Sequence, residues 1–208
     1  HKDHSLNLMA GFSAERAKTN TFDIKGADYV SETVFTSNAA AQLVNSGTRT
    51  GASAHSMASF FGRLGYSYKS RYLLNATLRH DGSSRFGKAN LWGDFPSVSA
   101  AWRLSDEAFM SWTRRYLSDA KLRVSYGITG NERIGNYDAM QRITFGSSYY
   151  NGVTGAVPTA DFGNPTLSWE STKQFDVGLD LSLFNDRLLF TADYYVKNGA
   201  SIGISDYK

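Results

Sequence analysis

Residues Phe60–Ser84 read FFGRLGYSYKSRYLLNATLRHDGSS. From Phe60 every second position is apolar, aromatic or Gly: Phe60, Gly62, Leu64, Tyr66, Tyr68. Lys69-Ser70-Arg71 interrupts the pattern, which resumes on the same parity at Tyr72, Leu74, Ala76 and Leu78. Arg63, Ser67, Asn75, Thr77 and Arg79 stand between them. A period of two is the mark of a β-strand with unlike faces. Two such runs joined by so short a break form a hairpin, apolar on one side and arginine-bearing on the other.

The same signal recurs outward from this hairpin. Leu6, Leu8, Ala10, Phe12 and Ala14 alternate with Ser5, Asn7 and Gly11. Val98, Ala100, Trp102 and Leu104 alternate with Ser97, Ser99 and Arg103. Leu122, Val124, Tyr126 and Ile128 form a further run, as do Phe175, Val177, Leu179 and Leu181. Leu188, Phe190, Ala192, Tyr194 and Val196 complete the set after a turn at Phe184–Arg187. This predicts about seven strands of roughly ten residues. Between them lie a polar stretch from Lys18 through Ser56, a loop opening at Asp81-Gly82-Ser83-Ser84, and a Gly/Asn/Tyr-rich stretch from Gly130 to Ser171. Ser105-Asp106-Glu107 reads as a cap before a short helix at Ala108-Phe109-Met110.

The 208 residues are 41% hydrophobic and 14% aromatic, with 19 Gly and 3 Pro. That balance excludes disorder and suits an all-β protein. The net charge of +3 arises from scattered basic residues and gives no argument for nucleic acid. With no cysteine there is neither a disulfide framework nor a thiolate metal site. No apolar run reaches the ~18 residues of a transmembrane helix. The mean hydropathy of −0.37 does not exclude a membrane, because the strands of a membrane barrel alternate. The chain starts at His1 in mid-pattern, so an internal piece of a longer protein is expected.

Strand length and loop order separate a soluble sandwich from a membrane barrel. Roughly ten residues exceeds the usual globular strand of five or six and matches the 9–11 that a tilted strand needs to cross a bilayer. Long and short connections alternate, as in outer-membrane barrels with long outer loops and short periplasmic turns. The Leu104–Lys121 segment is long for a periplasmic turn and counts against that scheme. Tyr66, Tyr68 and Tyr72 share the apolar parity and flank one turn, and Trp102 falls near their level, as an interfacial aromatic belt requires. Arg63, Arg79, Arg103 and Arg123 then face a polar lumen.

Chemical sites are sparse. His80-Asp81 with Ser83 and Ser84 has triad residue types crowded at one loop start, where a turn is the simpler reading. His1 and His4 lack a third metal ligand. Asp176 and Asp180 share a strand face but lie too far apart to share a proton, and read as solvated charges. No phosphate loop, dinucleotide fingerprint or zinc spacing occurs, so no enzyme, metal or cofactor is expected.

FGRLGYSYKSRYLLNATLRHDGSSRFG, WGDFPSVSAAWRLSDEAFM, LRVSYGITGN and NPTLSWESTKQFDVGLDLSLFNDRLLFTADYY, together spanning Met57–Asn198, resemble the barrel of SusC/RagA-type TonB-dependent outer-membrane transporters of the Bacteroidetes. Thr166 and Ser168 depart from the acidic and basic residues more frequent at those places in the family. The resemblance implies that residues 1–208 are part of a transmembrane barrel of about 22 strands, without its plug domain and remaining strands. It implies location in the Gram-negative outer membrane and import of a nutrient, glycan or oligosaccharide first and peptide second. A SusD-like surface lipoprotein would lid the barrel, and TonB with ExbB and ExbD would act through the missing N-terminal part. Aromatics of the outer stretches 20–51 and 131–164, namely Tyr137, Tyr149 and Tyr150, are candidates for ligand contact. Two other classes remain at this point: a secreted soluble β-sandwich that binds carbohydrate, and an outer-membrane barrel hydrolase using His80 or Asp81.

Overall fold

A computed structural model describes residues 3–29, 31, 33, 34, 36–44, 49–150, 153–160 and 162–200. The strands are β1 (His4–Asp23), β2 (Gly26–Tyr29), β3 (Ala40–Leu43), β4 (Arg49–Tyr68), β5 (Tyr72–Ser83) and β6 (Trp92–Arg103). They continue with β7 (Leu117–Asn131), β8 (Ile143–Tyr150), β9 (Val153–Pro158), β10 (Glu170–Leu183) and β11 (Leu188–Ala200). Two compact units divide the chain. One is drawn from His1–Ala14 and Met57–Lys208, the other is Glu15–Ser56. The smaller contains the β2–β3 ladder, in which Gly26 opposes Leu43 and Tyr29 opposes Ala40.

The main sheet has the order β1-β4-β5-β6-β7-β10-β11. Its ladders from β4 to β11 are antiparallel. The register turns six separate alternations into one surface. Tyr66 opposes Leu74, which opposes Ala100, then Val124, Val177 and Tyr194. The next row is Leu64, Ala76, Val98, Tyr126, Phe175 and Val196. The intervening row is polar: Gly65, Asn75, Ser99, Ser125, Asp176 and Tyr195. A slip of one residue in any ladder would put a polar row into the apolar face, so the alternation ties the register to the separation of the two faces.

Among the described residues, nothing covers the apolar face. Leu8, Phe60, Leu78, Val98 and Phe190 remain exposed, and the buried apolar residues among those described are Phe86, Phe95, Ala120 and Ala139. A sandwich would bury such a face against a second sheet. The soluble-sandwich expectation is therefore set aside.

Aromatic rings bound this face at both ends. Near the β4–β5 turn the Tyr68, Tyr72 and Trp102 rings stack in sequence, each pair 6.2 Å apart. At the far end Phe12, Phe60 and Trp92 form a second row, with centroids 5.0 and 6.1 Å apart. Along β6, Trp92 to Trp102 is ten steps, about 34 Å of strand, or about 26 Å of height at a 40° tilt. That is the height of the apolar band of an outer-membrane barrel.

Several boundaries differ from the sequence reading. The Asp81–Ser83 segment continues β5 instead of opening a loop. β1 and β4 each run 20 residues, into stretches where polar composition hides the strand. The polar stretch 131–169 carries the β8–β9 ladder, in which Ile143 opposes Pro158. The expected short helix is a 3-10 segment at Ala108–Thr113, preceded by another at Leu104–Asp106. The β4–β5 turn holds both Lys69 and Ser70 at positive φ (50° and 55°). That is the type I′ requirement, met here without Gly or Asn.

Candidate functional site

The polar face carries the chemistry. The register places Arg63, Arg79, Arg103 and Arg123 together on it, opposite the apolar rows. Each is engaged. Arg63 Nη2 donates to Asn75 Oδ1 at 3.3 Å. Arg79 Nε donates to both Asp81 oxygens at 2.7 Å, and its Nη2 donates to the buried Ser59 hydroxyl at 3.1 Å. Arg103 lies 3.5 Å from Asp119 and 3.9 Å from Asp106.

Arg123 is the centre of the largest cluster. It donates from Nε and Nη2 to the two oxygens of Asp180 at 2.8 and 2.9 Å, and from Nη2 to Asp193 at 2.9 Å. Lys121 Nζ adds a contact to Asp180 at 3.3 Å. The guanidinium crosses over Gly178, where a Cβ would stand 2.7 Å from Nη2. Asp180 is thus ion-paired to two cations of β7, and Arg123 links it across to Asp193 of β11, a correction to its reading as a solvated charge. The partners could not be found from sequence, because Arg123 and Asp193 lie 70 residues apart.

The triad residue types do not assemble. His80 lies on the apolar face, where its ring stacks on Trp92 at 4.6 Å and Nδ1 sits 2.7 Å from Asp94. Asp81 points to the opposite face and binds Arg79. The strand alternation that adjoins them in sequence separates them in space. His4 Nδ1 lies 2.9 Å from the Tyr66 hydroxyl, and no cluster of metal-ligating side chains occurs among the described residues.

At the Trp92 end the polar face is concave. A hollow of about 500 Å³ is lined by Arg79, Asp81, Phe95, Thr129, Asn131, Glu132 and Trp169. Trp169 packs against Phe86 at 4.9 Å and edge-on to Phe95 at 5.2 Å, and donates through Nε1 to the Leu91 carbonyl at 3.2 Å. Phe86 is 1% exposed. Arg85 ties the β5–β6 loop to the next long connection through Asn136 Oδ1 (3.0 Å) and the Glu132 carbonyl (3.1 Å). The sequence reading missed this cluster, since the Arg85, Phe86 and Trp169 positions lie outside any alternation. Tyr137 is partly buried in the same connection. Tyr149 and Tyr150 belong to β8, and their side chains lie outside the described residues.

A seven-stranded sheet with an uncovered apolar band, two aromatic borders and an ion-paired opposite face is a piece of wall from an outer-membrane-type β-barrel. The chain belongs to the family described as TonB dependent receptor-like, beta-barrel, whose profile matches residues 2–201. It is 40% identical over 194 residues to TonB-dependent receptor P39 of Formosa agariphila, covering 93% of this chain and 18% of that protein. It is 38% identical over 156 residues to TonB-dependent receptor SusC of Bacteroides thetaiotaomicron, covering 70% of this chain and 15% of that one. Among solved structures it superposes on the RagAB peptide transporter with a TM-score of 0.80 at 26% identity, covering 96% of this chain and 22% of the other. The chain therefore spans about a fifth of the length of these relatives.

Proposed function

We propose that residues 1–208 are part of the barrel wall of a TonB-dependent nutrient importer in the Gram-negative outer membrane. The observation that carries this reading is the register: the alternations of six strands converge on one apolar face of bilayer height, with β1 added at its edge. The apolar rows face lipid, and Arg63, Arg79, Arg103 and Arg123 face the lumen or the plug. The Trp92 end is the outer end, because the long connection 132–169 between β7 and β10 leaves from it. Transport, and not bond chemistry, is the activity.

The cargo we assign first is a glycan or oligosaccharide. Support comes from the hollow beside Trp169, where a ring edge and the carboxylates of Asp81 and Glu132 suit a hydroxyl-rich ligand. Tyr137, Tyr149 and Tyr150 would add contacts from the outer side. A peptide is the second reading, favoured by the likeness to the RagAB peptide transporter. A SusD-like surface lipoprotein is the proposed lid. TonB, with ExbB and ExbD, is the proposed energy source, acting through parts of the protein beyond this chain.

Gentle solubilisation of outer membranes and mass spectrometry of the complex containing this chain test the proposal. A stoichiometric surface lipoprotein with a co-purifying oligosaccharide is the expected result. A co-purifying peptide moves the cargo to the second class. Recovery of the intact protein in the soluble fraction refutes the membrane wall.

A further inference from the structure

The rim segment Leu104–Tyr116 is too long for a simple periplasmic turn, and its contacts show where the extra residues go. It starts on the polar face: the Ser105 hydroxyl donates to Asp119 Oδ1 at 2.8 Å. It then crosses to the apolar side. Glu107 Oε1 accepts from the Tyr72 hydroxyl at 2.7 Å and from Trp102 Nε1 at 3.1 Å. Beyond Glu107, the Phe109 ring stands edge-on to Trp102 at 6.3 Å, and Tyr116 stands edge-on to Phe184 of the β10–β11 turn at 6.4 Å. The segment is thus a shelf folded outward onto the lipid-facing wall.

Its composition is unusual for a soluble turn. Trp112 is 79% exposed, and Phe109 and Tyr116 are also exposed. Arg114 and Arg115 follow at once, both exposed, with Arg115 lying 5.7 Å from the Tyr116 ring. Neither has an ion-pair partner among the described residues. Arg187 is exposed in the neighbouring turn, and Lys69 sits over the Tyr68 ring at 5.3 Å. Immediately above the shelf the apolar wall is hollowed. Ala100, flanked by Leu74 and Val124, leaves a depression of about 570 Å³ walled by Tyr66, Tyr72 and Trp102. The hollow belongs to strands β5–β7, in the middle of the sheet. Strands added beyond β1 or β11 do not reach it, and a plug would fill the other face.

We infer that this hollow and shelf form a binding site for an anionic glycerophospholipid of the periplasmic leaflet. One acyl chain lies in the Leu74–Ala100–Val124 hollow. The glycerol level meets the Tyr72 and Trp102 polar tips. The phosphate is held by Arg114 and Arg115, while Phe109 and Trp112 sit among neighbouring headgroups as an interfacial anchor. Continuity with the lipid-facing wall and the sign of the charge select this occupant. A basic residue at an anionic surface raises local partition about fivefold, so the arginine pair is expected to enrich anionic lipid by up to ~30-fold. The inference rests on the membrane-wall reading above.

The test uses the full-length transporter on a cysteine-free background, reconstituted in vesicles of zwitterionic and anionic phospholipid. One environment-sensitive probe is attached at Ser111→Cys on the shelf, another at Ala192→Cys on the wall of β11. Lipids carrying a quencher near the headgroup, on either anionic or zwitterionic molecules, report contact. The expected result is quenching at position 111 that is several-fold stronger with the anionic quencher, and loss of that preference in the Arg114→Gln/Arg115→Gln variant. Equal quenching by both lipids, or an unchanged preference in the double variant, overturns the phospholipid site. No quenching at 111 with normal quenching at 192 by acyl-chain quenchers overturns the shelf while the wall stands. No quenching at either position overturns the wall reading, and the inference falls with it.

Discussion

Val98 and Ser99 are neighbours on β6 at nearly the same depth, yet the register assigns them to opposite faces. Val98 lies between Ala76 and Tyr126 in an apolar row. Ser99 lies between Asn75 and Ser125 in a polar one. Val98 is four steps from Trp102, about 14 Å of strand and about 10 Å of height, so it stands near mid-bilayer between the two tryptophans. Arginine on the lipid face at the midplane costs about 2–4 kcal/mol. Val98→Arg should therefore lower the folding equilibrium of the full-length protein by between about 30- and about 1,000-fold, at about 1.4 kcal/mol per factor of ten. Ser99→Arg meets polar partners and should cost less than about 1 kcal/mol. Leu74→Arg, two steps from the Tyr72 border, should fall between them, because the penalty fades towards the interface. Urea-dependent folding into phospholipid vesicles, followed by tryptophan emission, measures all three. Equal costs at 98 and 99 would refute the assignment of faces. A larger cost at Leu74 than at Val98 would refute the placement of the aromatic borders.

Three further expectations follow from particular contacts. The Tyr72 hydroxyl bond, then the Trp102 bond and the nearby Arg71, hold the Glu107 carboxyl below its ordinary value of 4.5. A depressed carboxylate contributes stability above its unfolded pKa and loses it as pH falls through the folded value. Shelf protection measured by hydrogen exchange should therefore drop on acidification below pH 4.5 in the wild type, and should show no such step in Glu107→Gln. Gly178→Ala should cost about 1 kcal/mol by displacing the Asp193 carboxylate and the Arg123 guanidinium, and the cost should fall in a double-mutant cycle with either Asp193→Ala or Arg123→Ala. Phe86→Ala should open the outer loops by about 3 kcal/mol, read as faster proteolysis between residues 84 and 91, with the wall strands unaffected.

The legibility of this protein followed the physics of each element. Where a strand divides lipid from water its sequence must alternate, and the runs at Phe60–Leu78, Val98–Leu104, Leu122–Ile128 and Phe175–Val196 were read from that requirement alone. Where a strand has water on both sides, nothing demands alternation. The Arg49–Ser56 part of β4, for example, reads RTGASAHS and gives no period. The β8–β9 ladder, whose register shifts between Phe145 and Tyr149, was hidden too. Strand length, loop order and Tyr placement supplied the barrel and family resemblance its class, yet neither resemblance nor period could pair Arg123 with Asp180 and Asp193. Such pairs depend on how three strands are set side by side, which a local pattern does not contain.

The departure at Leu104–Tyr116 carries the opposite lesson. Read as a turn, the segment is too long, and read as a helix it is too short and uncapped. Its bonds make both descriptions secondary to its position. Ser105 fastens it to the polar side through Asp119, and Glu107 fastens it to the apolar side through Tyr72 and Trp102. Those two attachments lie only two residues apart, so the chain must pass over the rim between them. Beyond Glu107 the Phe109 ring stands edge-on to Trp102 on the apolar side, and the exposed Phe109, Trp112 and Tyr116 would be a liability in open water and are favourable at a membrane interface. On the proposed membrane-wall reading, the residues that break the short-turn rule are the ones whose chemistry fits a membrane interface.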